Sequence, residues 1–404
     1  MINVRRSKIV ISDTDLHGGM SMLIAVKVLQ PQHFYSHFEL VRPGTTPTQP
    51  VTTPRTLVEA LPQIVSPRED LELYILDLPI DADRPLQYIQ TLTQYTLGKV
   101  VWIDHHGHSE YVSKLYEAGI ITFLAPTSYE MSLYLPKLYG RVDSEIEKWA
   151  LIGALADFDE SIADKVNTEL EIAVAEHLDQ YWKFGMNSIE EVKKLTPKYG
   201  NVGAKVKYIL DKGLTPDKLL EKAKEATQPL PVPENYEVIG DVVMLREPPE
   251  RPGIQWKLAW KLTCITGAKV AVIPVKVPQP CVIVASNWRI KSEVASIVDE
   301  VVQSKGRELG RTPRGHSGAL SLPAVSVNEA KELAIELARK ISELIESKVY
   351  TPKSVRLINE QYVARALHGD FVQLQREISE LRATMMELKT LLTRLLNPPE
   401  EETE

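Results

Sequence analysis

Three short apolar runs, Lys8–Ser12, Leu73–Leu78 and Val100–Ile103, each lead straight into acidic or imidazole side chains. The first continues as Asp13-Thr14-Asp15-Leu16-His17-Gly18-Gly19, the second contains Asp77-Leu78-Pro79 and the third runs into Asp104-His105-His106-Gly107-His108. The pattern turns helical after the first run, over Gly19–Leu29, and Arg42–Pro54 reads as a Pro- and Thr-rich loop. Strands alternating with helices specify a parallel sheet covered on both faces. In such a sheet every strand ends at one edge, which is where ligands bind. The pattern therefore predicts that Asp13, Asp15, His17, Asp77, Asp104, His105 and His106 converge. A fourth acidic segment, Asp157-Phe158-Asp159, closes the apolar run Gly153–Ala156 and is placed to add a carboxylate.

Carboxylates crowded together without compensation cannot all stay ionised, and a pair of divalent cations relieves the repulsion. Mixed Asp and His donors suit Mn²⁺, Mg²⁺, Fe²⁺ or Zn²⁺. Two such ions ~3.5–4 Å apart form the standard arrangement for hydrolysing phosphate esters. Each motif alone also has a plain structural reading. Asp13 and Asp15 suit a turn and a helix cap after a strand, and Asp159 suits a cap.

The remainder divides by composition. Residues 1–227 form the first domain, with 144–226 mainly helical and Glu145–Ala156 the clearest stretch. Gln228-Pro229-Leu230-Pro231-Val232-Pro233 cannot continue a helix and reads as a semi-rigid linker, here 228–235. Residues 236–350 read as a smaller α/β unit with strands Val238–Leu245, Val270–Val275 and Cys281–Ala285 and helices Ser292–Ser304 and Val327–Glu346. Trp256 and Trp260 lie one helical turn apart, as core residues or as a base-stacking pair. In residues 351–397, Leu367, Phe371, Leu374, Ile378, Leu381, Met385, Leu388, Leu392 and Leu395 alternate in steps of four and three. That heptad pattern predicts a coiled coil and self-association, the alternative being a helix packed on its own domain. The acidic tail 398–404 reads as disordered.

The 404 residues, at ~150 per domain, make two or three domains. With 44% hydrophobic and 25% charged residues, global disorder is excluded. A net charge of −7 excludes a uniformly basic nucleic-acid binder but leaves room for a local basic groove. Cys264 and Cys281 cannot build a disulfide framework or a Cys-rich zinc site. No signal-peptide pattern and no run of 18 apolar residues occurs, so a cytoplasmic protein away from membranes is expected.

Asp104-His105-His106 after a hydrophobic strand, with the earlier segments at Asp13-Thr14-Asp15 and Asp77 and the later one at Asp157, resembles the DHH phosphoesterase superfamily. Arg314-Gly315-His316-Ser317-Gly318-Ala319-Leu320-Ser321 resembles the GGHxxAAG loop of its associated DHHA1-type domain, with Arg314, Leu320 and Ser321 departing from that pattern. The resemblance spans roughly residues 8–345. It implies an α/β fold with a parallel-sheet N-terminal DHH domain and a smaller DHHA1-like domain, here followed by the C-terminal coiled-coil helix. It implies a two-metal phosphodiesterase or exonuclease, RecJ-like or oligoribonuclease-like, with two Mn²⁺ or Mg²⁺ ions. Its substrates would be single-stranded DNA or RNA, short oligonucleotides or cyclic nucleotides. Asp77 would bridge the ions, His105 and Asp157 would bind one and Asp15 the other, and Asp13 and His17 would complete the shells. Asp104 would belong to the catalytic set, and His106 would touch the scissile phosphate. Arg314, His316 and the backbone amides of Gly315 and Ser317 would hold a second phosphate, with Gly318 in the same substrate-binding loop and Arg311 adding charge. The first motif aligns in two ways: either Asp13 and His17 exchange the family's His and Asp, or Asp13 and Asp15 form the acidic pair and His17 stands aside. The same resemblance includes a catalytically weakened RecJ-like scaffold that partners GINS and the replicative helicase.

Overall fold

Ile9, Val10 and Ile11 are too apolar to face water on either side, and the chain buries them as the second strand of a five-stranded parallel sheet. The computed structural model describes residues 7–36, 71–78, 99–105, 123–230, 233–250, 254–277 and 279–347. The strands are β1 (Ser7–Ser12), β2 (His33–Ser36), β3 (Leu71–Leu76), β4 (Lys99–Asp104) and β5 (Phe123–Leu124), in the order β2-β1-β3-β4-β5. The register sets Ser12 beside Leu76 and Leu76 beside Ile103. The residues that follow β1, β3 and β4 therefore emerge on one edge. The chain moves from β1 outward to β2 and then returns to the other side of β1 as β3. This reversal opens a crevice at the strand ends between β1 and β3.

Helix α1 (Leu16–Leu29) starts at that crevice, with Asp15 as N-cap accepting from the Gly18 amide at 2.8 Å. It is buried almost all round, as an apolar helix between other helices must be. Its neighbours are α2 (Ser128–Leu138), capped by Thr127, and α3 (Ser144–Ala156), capped by Asp143. Gly153 makes the α1–α3 approach possible: a Cβ there would stand 3.1 Å from the His17 ring and 3.2 Å from Met20.

The second sheet is mixed. Strands β6 (Tyr236–Ile239), β7 (Val242–Leu245), β8 (Val270–Val275), β9 (Cys281–Ser286), β10 (Arg314–His316) and β11 (Ala319–Pro323) lie in the order β10-β11-β9-β8-β7-β6, with only β7 and β8 parallel. Helix Gln255–Thr266 covers one face, setting Leu258, Ala259 and Leu262 on Val243, Ala271, Ile273 and Ile283. Helices Lys291–Glu308 and Val327–Glu346 also pack on the sheet, where the alternate residues Val270, Val272, Val282 and Val284 are equally buried. The single strand expected over Val238–Leu245 is instead two, folded back at Gly240-Asp241, with Gly240 at φ 54. A Gly-Asp pair between alternating apolar residues is a hairpin turn, and the continuous apolar run concealed it. The GGHxxAAG-like segment is likewise no open loop. It is the β10–β11 hairpin, turning at Ser317-Gly318.

Met1–Glu346 form one compact body, in which the first sheet with its helices (residues 7–230) is the first unit and the second sheet with its helices (233–346) the second. The loop expected over 42–54 and the heptad segment 351–397 lie outside the described residues. Among the described residues no helix is long and apolar enough to cross a membrane.

The two sheets are tied by a buried carboxylate. Glu171, 4% exposed, accepts from Trp260 Nε1 at 2.6 Å, Trp288 Nε1 at 2.7 Å and Arg289 Nη2 at 2.6 Å. Burial alone would raise its pKa, but the Trp260, Trp288 and Arg289 donors more than reverse this and hold it below the ordinary value. Glu171→Ala strands these donors and should lower unfolding free energy by about 3–5 kcal/mol, read from denaturant melts. The depressed pKa fixes the sign of the pH dependence. The wild-type advantage over Glu171→Ala should be complete above the unfolded-chain value near 4.5 and shrink as pH falls through the lower folded value.

Candidate metal centre and its cleft

Four side chains from four segments meet at the sheet edge. His17 comes from the first turn of α1, Asp77 follows β3, His105 follows β4 and Asp157 follows α3. One ligand atom from each lies within 4.8 Å of all the others. His17 Nδ1 is 2.9 Å from Asp77 Oδ2 and 2.9 Å from Asp157 Oδ2. His105 Nε2 is 3.0 Å from Asp77 Oδ1 and 3.2 Å from Asp157 Oδ2. Asp77 thus turns one oxygen to each imidazole. The two rings meet edge to face, 5.0 Å apart.

The donor set could hold a cation. His17 is fully buried, and its Nδ1 makes no aligned hydrogen bond despite the two oxygens at 2.9 Å. A nitrogen that crowds two carboxylate oxygens without an aligned bond is placed as a ligand is. The opposite nitrogen, Nε2, faces the Ser128 carbonyl at 3.2 Å, with the Ser132 and Ser21 hydroxyls at 3.2 and 3.4 Å. A proton on Nε2 donated to that carbonyl leaves Nδ1 its lone pair, which is how a metal-binding imidazole is oriented. Ser128 does the same for the other ring: its hydroxyl lies 3.4 Å from His105 Nδ1 and donates to Asp157 Oδ2 at 2.8 Å.

Backbone conformation aims two of the four. Asp77 sits at φ 57, a left-handed conformation that Asp tolerates and that turns its side chain back toward the β1 end. Asp157 caps α3, and Phe158 after it stands at φ 53. Asp159 then closes the turn by accepting from the Tyr129 and Ser161 amides.

The charges are strongly coupled. Burial would lower the His17 pKa, but Asp157 and Asp77 beside it hold it well above its ordinary value. His105 follows the same logic and is pushed up to about 10. Burial opposes ionisation of Asp77 and Asp157, yet the two imidazoles keep both below the usual carboxylate range. Asp15 is exposed at the rim. The protein packed around its carboxyl group, followed by the charges of Asp157, Asp77 and Asp13, raises it to about 8.

Of the residues singled out from the sequence, His17, Asp77, His105 and Asp157 come together, with Asp15 beside them. The second alignment of the first motif, which left His17 aside, does not describe this geometry. Asp13 is half-buried and accepts from the Thr14 amide at 2.6 Å. Asp104 is 4% exposed and outside the four-ligand group. His106 lies outside the described residues. Arg311 is committed elsewhere, in a two-point ion pair with Glu329 at 2.9 and 3.0 Å and a bond to the Pro323 carbonyl. Gly318 donates its amide to Asp299 at 2.8 Å, and Ser317 donates its hydroxyl to the same carboxylate. Those two donors are therefore taken, while the Gly315 and Ser317 amides expected to hold phosphate are not the groups that Asp299 engages. Arg314 is exposed, Gly315 stands at φ 130 against the Ala319 carbonyl, and His316 pairs in register with Ala319.

A cleft of about 510 Å³ opens beside the cluster. His105, Ser128 and Asp157 form one wall, and Lys291 and Ser317 of the second sheet unit form the other. Sequence reading passed over Lys291, an ordinary lysine at a helix start. Burial lowers its pKa despite Asp157, Asp159, Asp299 and Glu160 nearby, and among the described residues its ammonium has no ion-pair partner within 4.0 Å.

No family model and no curated protein matches the sequence. Solved structures do. A DHH domain from a member of a family of ribosomal proteins shares 15% identity, with 83% of this chain and 87% of that one covered and a TM-score of 0.46. The pGpG-specific phosphodiesterase PggH of Vibrio cholerae shares 11% over 84% and 99%, at 0.43. An exonuclease RecJ bound to manganese shares 12% over 87% and 92%, at 0.40. In fold the chain resembles DHH-domain proteins.

A cation entering the cluster must displace the protons that relieve the carboxylate repulsion at neutral pH. Mn²⁺ titrated calorimetrically at pH 7, in buffers of differing ionisation enthalpy, should therefore release protons. Affinity should rise with pH as His105 approaches its value near 10. A proton-neutral, pH-independent isotherm contradicts this electrostatic account.

Proposed function

We propose that the chain is a metal-dependent phosphodiesterase or exonuclease acting on single-stranded nucleic acid or on short or cyclic oligonucleotides. Two divalent cations, Mn²⁺ or Mg²⁺, would be held by His17, Asp77, His105 and Asp157, with Asp15 and Asp13 on the rim side. The observation that carries the reading is the four-ligand ring containing an unsatisfied, fully buried imidazole nitrogen and opening on a cleft. Cations bound there supply the positive charge that a phosphodiester needs as negative charge develops on it.

The protein's own residues supply the rest. Asp77, with an oxygen toward each imidazole, would be the carboxylate shared by the cations. Ser128 fixes the ring tautomers and holds Asp157. His106, one residue beyond His105, is assigned to the scissile phosphate and Asp104 to the same catalytic set. Across the cleft, Lys291 meets a second anionic group of the substrate, because among the described residues its ammonium has no ion-pair partner and it lines that wall. The cleft volume falls in the range of small-molecule sites, which suits a strand end or a dinucleotide rather than a duplex.

The test is turnover by Mn²⁺-loaded protein across single-stranded RNA, single-stranded DNA, linear dinucleotides and cyclic dinucleotides. Asp77→Asn and His105→Ala should each lower kcat/KM by at least about a hundredfold, since changes to groups that merely orient ligands already cost about 10–100-fold. Lys291→Ala should raise KM about tenfold with kcat little changed, as loss of one charge-assisted contact implies. Fewer than one Mn²⁺ bound per chain, with no turnover of any substrate, would replace this reading with a non-catalytic scaffold of a replication complex.

A further inference from the structure

The second sheet unit also reaches the metal centre from behind, away from the cleft. Lys257, on helix Gln255–Thr266, is 4% exposed. Its ammonium crosses to the first unit, donates to the Ala156 carbonyl at 3.0 Å and lies 4.4 Å above the Phe158 ring. Among the described residues the carboxylate within ion-pair range is Asp179 at 4.0 Å, and Asp179 is already engaged by Lys183 at 3.0 Å. An ammonium buried against so distant a counter-ion is costly, and packing alone does not require it, because a methionine fills the same volume.

Ala156 and Phe158 are the two neighbours of Asp157. Ala156 ends α3, where helix carbonyls point outward with the negative end of the dipole, so a cation is favoured there. Phe158 at φ 53 occupies a conformation that a phenylalanine does not choose for itself. Lys257 touches the groups on both sides of Asp157, so the backbone carrying that carboxylate cannot swing without breaking one contact or the other. We propose that Lys257 is a positioning residue for the metal centre, clamping Ala156 and Phe158 so that the Asp157 carboxylate faces His17 and His105. This rests on the reading of those residues as metal ligands.

The experiment compares the full chain with Lys257→Met and Lys261→Met. Lys261 lies one turn further along the same helix and also bridges the units, through Glu176 at 3.0 Å and the Leu230 carbonyl, but touches neither neighbour of Asp157. Metal-free melting reports the fold, Mn²⁺ calorimetry the affinity, and the visible spectrum of Co²⁺-loaded protein the coordination. Lys257→Met should weaken Mn²⁺ binding at least tenfold and change the Co²⁺ spectrum, the scale seen when groups behind a ligand are lost. Lys261→Met should match the wild type in both. Wild-type affinity in Lys257→Met, or equal weakening in both variants, overturns the proposal while leaving the metal centre standing. No metal bound by the wild type overturns both. Should Lys257→Met fail to fold, Phe158→Gly tests the same clamp. It suits the left-handed backbone and keeps the lysine, yet should still weaken Mn²⁺ binding severalfold, and unchanged affinity there also overturns the proposal.

Discussion

The repulsion between Asp77 and Asp157 is the constraint around which the first unit is organised. Their carboxylates face the same two imidazoles at about 3 Å, with Asp77 buried. Like charges that close are tolerated only with compensation. In the metal-free protein the compensation is protonated His17 and His105. In a loaded site it would be cations, whose greater charge is concentrated where His17 Nδ1 now stands without an aligned partner. Several local departures from ordinary structure make sense only in that light. Asp77 and Phe158 take left-handed backbone, Gly153 gives up a side chain so that His17 fits, and three serines surround the far side of the His17 ring.

The second unit supplies the complementary charge. The chain is acidic overall, and its first unit places Asp77, Asp157 and Asp15 together. Lys257 and Lys291, both from the second unit, approach this acidic edge from two directions, one behind Asp157 and one across the cleft. The Glu171 knot with Trp260, Trp288 and Arg289 fixes the register between the units, and Ser292 adds hydrogen bonds to Glu160 at the cleft edge. A joint so heavily bonded holds the distance from Lys291 to the ligand cluster, so the width of the cleft is built in rather than set by a loose hinge.

Much of the site was legible because it follows from topology. Parallel strands end on one edge, so Asp77 and His105 had to meet once β3 and β4 were recognised as neighbours, and Asp157 followed from the end of an apolar helix. What sequence could not convey was how each donor is spent. Asp13 and Asp104 had the same composition signal as Asp77, but the four-ligand group excludes them. Arg311 read as a free cation because Glu329, its partner, lies eighteen residues on, across a hairpin. Ser128, Lys257 and Lys291 were invisible for the opposite reason. Each is an ordinary residue type at a helix start or on a helix face, made special only by what another part of the chain brings to it.

Asp299 sharpens the point about the cleft. Glycines beside a His and an Arg suggest bare amides waiting for phosphate, yet here the Gly318 amide and the Ser317 hydroxyl already hold a carboxylate of this chain. An anionic substrate would have to displace that carboxylate, and the two negative charges would repel as it did so. At those two donors the hairpin is therefore braced by an internal anion. Under the proposed function, Lys291 adds a cation for a second phosphate, and the same helix, Lys291–Glu308, carries it two turns before Asp299. One helix thus closes the turn with its acid and presents its base to the cleft.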